Sequence, residues 1–197
     1  MSEIIMLFCL ILLNAFFAMT EIAFVSLNDA KIDLLAKSGD KKAQKIKKLL
    51  DVPSKFLATI QIGVTLAGFL SSAFAAESFA DDLAPLLTPL LGNSAKSVAI
   101  ILVTILLSFF TLIFGELVPK RLGMKNHEKI AFATVGIIRA ISIILAPFVK
   151  ILTFATNAVS KLFGVTESDE EIVTEEEIRM MVDAGEEKGA IEEEEKE

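Results

Sequence analysis

The sequence contains no tryptophan and no tyrosine, one cysteine and one histidine. With a single thiol, Cys9, no disulfide can close within the chain and no cysteine cluster can hold a metal. His127 stands alone in a basic stretch, which excludes a paired-histidine metal centre and reads as a solvated side chain. No nucleophile is set up with a histidine and no glycine-rich run has the form of a phosphate loop, so nothing points to an enzyme. Without Trp or Tyr, aromatic residues at a membrane boundary would have to come from the 15 phenylalanines.

What is present is apolar. Of 197 residues, 53% are hydrophobic and the mean hydropathy is +0.61, above the usual share of a soluble domain. The net charge of −7 hides a division. Residues 167–197 hold 15 acidic and 3 basic side chains, a net of −12, which leaves residues 1–166 at +5. A mildly basic membrane body thus carries an acidic tail. The N-terminal stretch "MSEIIMLFCLILLNAFFA" has no basic leader and outlasts a signal-peptide core, so we expect a retained membrane helix.

Crossing the hydrocarbon takes about 20 mainly apolar residues. Residues 3–27, 55–79 and 97–119 qualify, which predicts an all-α integral membrane fold with three transmembrane helices. Residues 28–55 carry eight Lys against four Asp and belong on the cytoplasmic side by the positive-inside rule. Loop 80–96 belongs outside and the basic stretch 120–129 inside, so the N-terminus lies outside and the chain ends in the cytoplasm. Eight lysines beside two spans suit anionic lipid headgroups better than nucleic acid.

Residues 129–163 form a fourth apolar segment with Arg139 near its middle, and a charge there costs about 2.5–3.5 kcal/mol on insertion scales. Arg139, Lys150 and Lys161 recur every 11 residues, which returns to nearly one helical face. With Pro147 inside, the segment predicts a Pro-broken juxtamembrane helical belt lying at the cytoplasmic surface. A fourth span with a snorkelling arginine is the alternative. In the tail, Thr174 and Glu177 form a capping box ahead of Ile178, Met181 and Val182, which predicts an acidic linker helix within 164–197. A disordered acidic tail is its alternative reading.

Each span carries polar or small residues. Asn14, Thr20 and Glu21 lie on the first, Gln61, Thr65, Gly68 and Ser72 follow one face of the second, and Thr104, Ser108, Thr111, Gly115 and Glu116 lie on the third. Depth along the spans places Glu21, Gln61 and Glu116 together in the cytoplasmic third of the bilayer. Two carboxylates meeting in low dielectric repel, or take up a proton, unless a cation joins them. In "GELVP", Pro119 has no N–H, so the carbonyl four residues earlier, that of Gly115, loses its helical partner beside Glu116. A bare carbonyl and a carboxylate suit a hard cation such as Mg2+, Na+ or Ca2+. The plainer readings are snorkelling for the glutamates, helix packing for Gly68 and Ser72, and an interhelical hydrogen bond for Asn14.

"LLNAFFAMTEIAFVSL", "FLATIQIGVTLAGFLSSAF" and "FGELVPKRLG" together resemble the membrane domain of the cyclin M/CorC family, the hemolysin-C-like magnesium and cobalt efflux proteins. "TEEEIRMMVDAGEEKGAIEEEE" resembles that family's linker to a pair of CBS domains. The resemblance implies a homodimer of three-span protomers with an inward-facing Mg2+ site and Na+ as a coupling ion. By position, Gly115 and Glu116 match the family's Gly-Glu motif, Pro119 and Lys120 its continuation, and Ala18 to Glu21 the first-helix side of the site. The chain departs from the magnesium-binding pattern at Phe17-Ala18-Met19, where those members resemble "FSG". It departs again at Gly63 to Gly68, where they have "GNxxxN". Thr20, Gln61, Thr65 and Glu21 are the candidates to stand in for those ligands. Members similar to "QIGxTL" are linked to organic polyamine cations as well.

The resulting expectation is an Mg2+ exporter with Glu116, Gly115 and Glu21 on the ion and Gln61, Thr65, Thr20 and Asn14 completing or orienting the shell. A polyamine exporter and a non-transporting Mg2+-sensing anchor are the alternatives. A single ion would draw Glu21 and Glu116 together, whereas a diamine stretched between them would hold them apart.

Overall fold

The computed structural model describes residues 2–163, and the expected acidic linker lies outside them. The chain divides into two compact units, Met1–Thr153 and Phe154–Glu197. Among the described residues every regular element is helical: α1 Ser2–Val25, α2 Asp29–Lys37, α3 Lys41–Leu50, α4 Pro53–Leu91, α5 Ala95–Leu112, α6 Val118–Lys125 and α7 His127–Leu162. A 3-10 turn at Gly92–Ser94 joins α4 to α5, and a π-helical segment, Ile113–Leu117, joins α5 to α6. Among the described residues, three stretches are long and apolar enough to cross a membrane: Glu3–Val25, Pro53–Lys125 and His127–Leu162. The second contains the hairpin of α4 and α5, which pack against each other, and so accounts for two of the expected spans.

Two expectations need correcting. The segment 80–96 is not an open loop: α4 continues through Pro85 and Pro89 to Leu91. At about 1.5 Å per residue its 39 residues span about 58 Å, nearly twice the hydrocarbon thickness. Positive φ at Gly92 (+51°) makes the tight reversal into α5, and Lys96 pairs with Asp81 at 2.8 Å beside it. The segment 129–163 is likewise one uninterrupted helix, with Pro147 in its interior and not a break between two. Proline removes only one backbone donor and its φ is already helical, so a long apolar helix can carry it.

Cores form where water would otherwise reach apolar surface. Phe17 and Phe24 of α1, Ile32 of α2, Ile46 of α3, Phe56 and Ile60 of α4, and Ala131, Val135 and Ile138 of α7 make one buried cluster. Phe24 and Phe56 pack with their rings tilted by 33° and centroids 4.8 Å apart. Elsewhere Ile4, Phe8, Leu12, Ile101, Ile105 and Phe109 remain exposed, as lipid-facing side chains do. Between α4 and α5 the buried residues are small: Ala67, Ser71 and Ala75 on one, Ala95 and Ala99 on the other. Small residues let membrane helices approach closely.

The lysine-rich segment after α1 folds as a helical hairpin. Asn28 caps α2 by accepting from the Lys31 N–H, and Asp40 caps α3 by accepting from those of Lys42 and Ala43. Gly39, at φ +97°, reverses the chain between them. Lys47 pairs with Asp33 across the hairpin, and Lys31 with Glu128 at the start of α7. Hydrogen bonds to these lysines hold the Asp33 and Glu128 carboxyls below their ordinary values, and Asp33 holds Lys47 above its own. A depressed carboxylate adds stability above its ordinary range and loses it as pH falls through the shifted value. A raised ammonium adds stability below its ordinary range and loses it on the alkaline side. The thermal midpoint of helix loss should therefore be level through neutral pH and fall slightly at both extremes. Asp33→Asn with Lys47→Met should reduce both shoulders, leaving on the acid side the part due to Glu128, and unchanged shoulders would show that the pair contributes nothing.

Candidate functional site

Pro119 sets the local geometry. Its ring would collide with the carbonyl of residue 115 in a regular α-helix. The chain avoids this by widening the turn before it: the Val118 N–H reaches back to the Ile113 carbonyl, a five-residue π-type bond. The freed Gly115 carbonyl is not bare as expected. Asn14 of α1 donates its side-chain amide to it at 3.0 Å, in a buried contact between residues 101 apart in sequence. A Cβ at Gly115 would stand 3.1 Å from Asn14 Nδ2, so glycine permits this approach. Of the two readings for Asn14, the interhelical hydrogen bond is the one present.

Glu21 and Glu116 do converge, and a side chain of the same protein joins them. Lys120, one turn after Glu116, donates from Nζ to Glu116 Oε1 at 3.0 Å and lies 3.6 Å from Glu21 Oε2. The motif's lysine was legible, but its partners were not. Charge neutralisation was the signal that could have found them, because two carboxylates in a poorly solvated place need a cation and Lys120 is one helical turn away. All three side chains are roughly one-third exposed, at 27% for Glu21, 35% for Lys120 and 37% for Glu116. The cluster is therefore open to one side and not sealed.

The remaining candidates divide. Thr20 is fully buried and its Oγ1, with Asn14 Oδ1 and Thr111 Oγ1, has no hydrogen-bond partner among the described residues. Buried oxygens of this kind are few in folded proteins and suit a bound polar species. Gln61, by contrast, is exposed, and Thr65, Gly68 and Ser72 are only partly covered. The inward face of α4 runs one residue earlier, through Ile60, Gly63, Ala67, Ser71 and Ala75. Packing against Phe17 fixes this register: a Cβ at Gly63 would fall 2.5 Å from the ring. Gln61 and Thr65 therefore lie beside the most buried face of α4 and not on it.

A UPF0053 protein of Synechocystis is 38% identical over 197 residues, covering 99% of this chain and 44% of the relative. The UPF0053 protein YhdT of Bacillus subtilis is 28% identical over 194 residues, 96% of this chain and 42% of its own. The Polyamine export protein of Haemophilus influenzae is 28% identical over 193 residues, 95% of this chain and 44% of its own. The chain thus spans less than half the length of these relatives. The cyclin M transmembrane N-terminal domain matches residues 4–195. That match runs through the span of α1, the α2–α3 hairpin and the "GELVPK" turn alike, and the chain belongs to the cyclin M family of membrane proteins.

Proposed function

We propose that the chain exports a cation from the cytoplasm through an inward-facing site at Glu21 and Glu116, with Mg2+ as the cargo. The observation carrying this reading is that carboxylates from two separate helical segments meet on one cationic centre, as a single-ion site requires. Glu21 and Glu116 supply the charge. Thr20 and Asn14 supply neutral oxygens that lack hydrogen-bond partners among the described residues, and the Gly115 carbonyl orients Asn14. Mg2+ keeps several of its waters when bound, which a cluster open to one side accommodates.

A second reading is favoured by the chemistry of Lys120. The centre held between the glutamates is a primary ammonium, the group at each end of a polyamine, and one relative is named a polyamine export protein. In this form both carboxylates grip one end of the amine. The working unit in either reading is a homodimer, with Na+ as the coupling ion. The N-terminus lies outside, α7 lies along the cytoplasmic surface, and the chain's tail leads toward CBS domains. The exposed Lys37, Lys41, Lys42 and Lys48, with Arg139, Lys150 and Lys161, meet anionic headgroups.

Flux from proteoliposomes loaded with Mg2+ or putrescine decides the cargo. Saturable Mg2+ flux supports the first reading and putrescine flux without Mg2+ flux the second. Neither flux, with a cation-dependent shift in thermal stability, would leave a sensing anchor in their place.

A further inference from the structure

We infer that Lys120 is a tethered counter-cation, whose ammonium holds the Glu21–Glu116 pair when cargo is absent and is displaced when cargo binds. The inference rests on the proposed cation-transport reading and assigns the lysine a role within it. Its basis is the position of Nζ, 3.0 Å from Glu116 Oε1 and 3.6 Å from Glu21 Oε2. No other cation is paired with either glutamate among the described residues. Cargo that binds these carboxylates must take the place the ammonium occupies.

Three features let the lysine act as a movable plug. It sits on the first turn of α6, one residue after the buried Pro119, so its backbone is fixed while its four-carbon stem is free. Its side chain is 35% exposed, so the ammonium can swing into water without crossing protein. The i,i+4 spacing from Glu116 brings it back when the cargo leaves. A tethered group of this kind acts at an effective concentration on the order of millimolar, so it competes with free cations and sets the apparent affinity. It also lowers the charge of the empty site by one, which reduces the cost of moving the unloaded carboxylates through low dielectric. Lys120 would thus weaken cargo binding and speed the return of the empty carrier.

The test is cation binding by the 197-residue chain in detergent, with Mg2+ and putrescine as probes, in wild type, Lys120→Met, Lys120→Arg and Glu116→Gln. Lys120→Met should bind the cargo about tenfold more tightly, the competitor having been removed, while Lys120→Arg stays near wild type. In vesicles Lys120→Met should slow net efflux severalfold and spare exchange between cargo on both sides. An unchanged or weakened Kd in Lys120→Met, with binding still lost in Glu116→Gln, would overturn the inference and leave the transport reading standing. Absence of binding in wild type would remove both. A second measurement needs no variant. Added Mg2+ should raise the rate at which an amine-acylating reagent labels Lys120, relative to Lys96, by severalfold, and a rate unchanged or lowered would refute displacement.

Discussion

Changing Glu116 to glutamine should remove saturable Mg2+ stabilisation of the purified chain. The substitution preserves shape and deletes one of the two negative charges that meet at Lys120. A ligand bound only by the folded state stabilises it by about 2.7 kcal/mol at a hundredfold excess over Kd. Loss of a charged ligand should weaken Kd about a hundredfold or more, so that at the same concentration the stabilisation falls from about 2.7 to about 0.4 kcal/mol or less. Asp81→Asn is the control. Asp81 also pairs with a lysine, Lys96, but both side chains are more than half exposed, and surface pairs contribute about 0–1 kcal/mol. An Mg2+ shift retained in Glu116→Gln, or lost equally in Asp81→Asn, would dissociate the ion from this site.

Gly123→Ala should lower the thermal midpoint of the chain more than Gly136→Ala. Gly123 is buried in α6 against α1, and a Cβ there would lie 2.4 Å from Ile22 Cγ2 and 2.5 Å from the Met19 carbonyl oxygen. The isoleucine methyl could shift, but the carbonyl belongs to the α1 backbone and cannot move without the helix. Overpacking of this kind costs about 1–3 kcal/mol, and the displacement would fall on the turn of α1 that carries Glu21. Gly136→Ala offers the contrast, since nothing lies within 4 Å of its Cβ position. Replacing a mid-helix glycine there should add about 0.5–1 kcal/mol. Thermal midpoints of both variants in detergent would check the pair, and equal effects would rule out the close approach of α6 to α1.

Much of this architecture can be read from the sequence, for reasons that also mark where reading stops. Apolar runs of sufficient length identify the spans, because membrane crossing is a matter of composition and length. The meeting of Glu21 and Glu116 follows from their depth along two spans of the same direction. Pro119 predicts the free Gly115 carbonyl, because the missing N–H is a covalent fact. Which group then takes that carbonyl is tertiary information: Asn14 is supplied by packing that no spacing rule encodes, whereas Lys120 reaches Glu116 by its i,i+4 spacing and only its contact with Glu21 is tertiary. The buried face of α4 lies about one residue from its polar stripe for a similar cause. Polar residues at 61, 65, 68 and 72 mark a stripe, but contact of Phe17 with Gly63 decides which side turns inward. The continuation of α4 past Ala80 was hidden by Pro85 and Pro89, residues that in a soluble chain would signal a loop.

The π turn at Ile113–Leu117 also works as a one-residue insertion within an otherwise regular rod. Each α-helical residue advances about 100° around the axis, so absorbing one extra residue rotates everything after it by about that angle relative to α5. Lys120 faces Glu21, and Gly123 faces Met19, by virtue of that offset. A relative with one residue fewer between positions 113 and 117, running straight through as regular α-helix, would present the same side of α6 to α1, whereas this chain without the π turn would present another. The widened turn is therefore as much a part of the site as the residues that compose it.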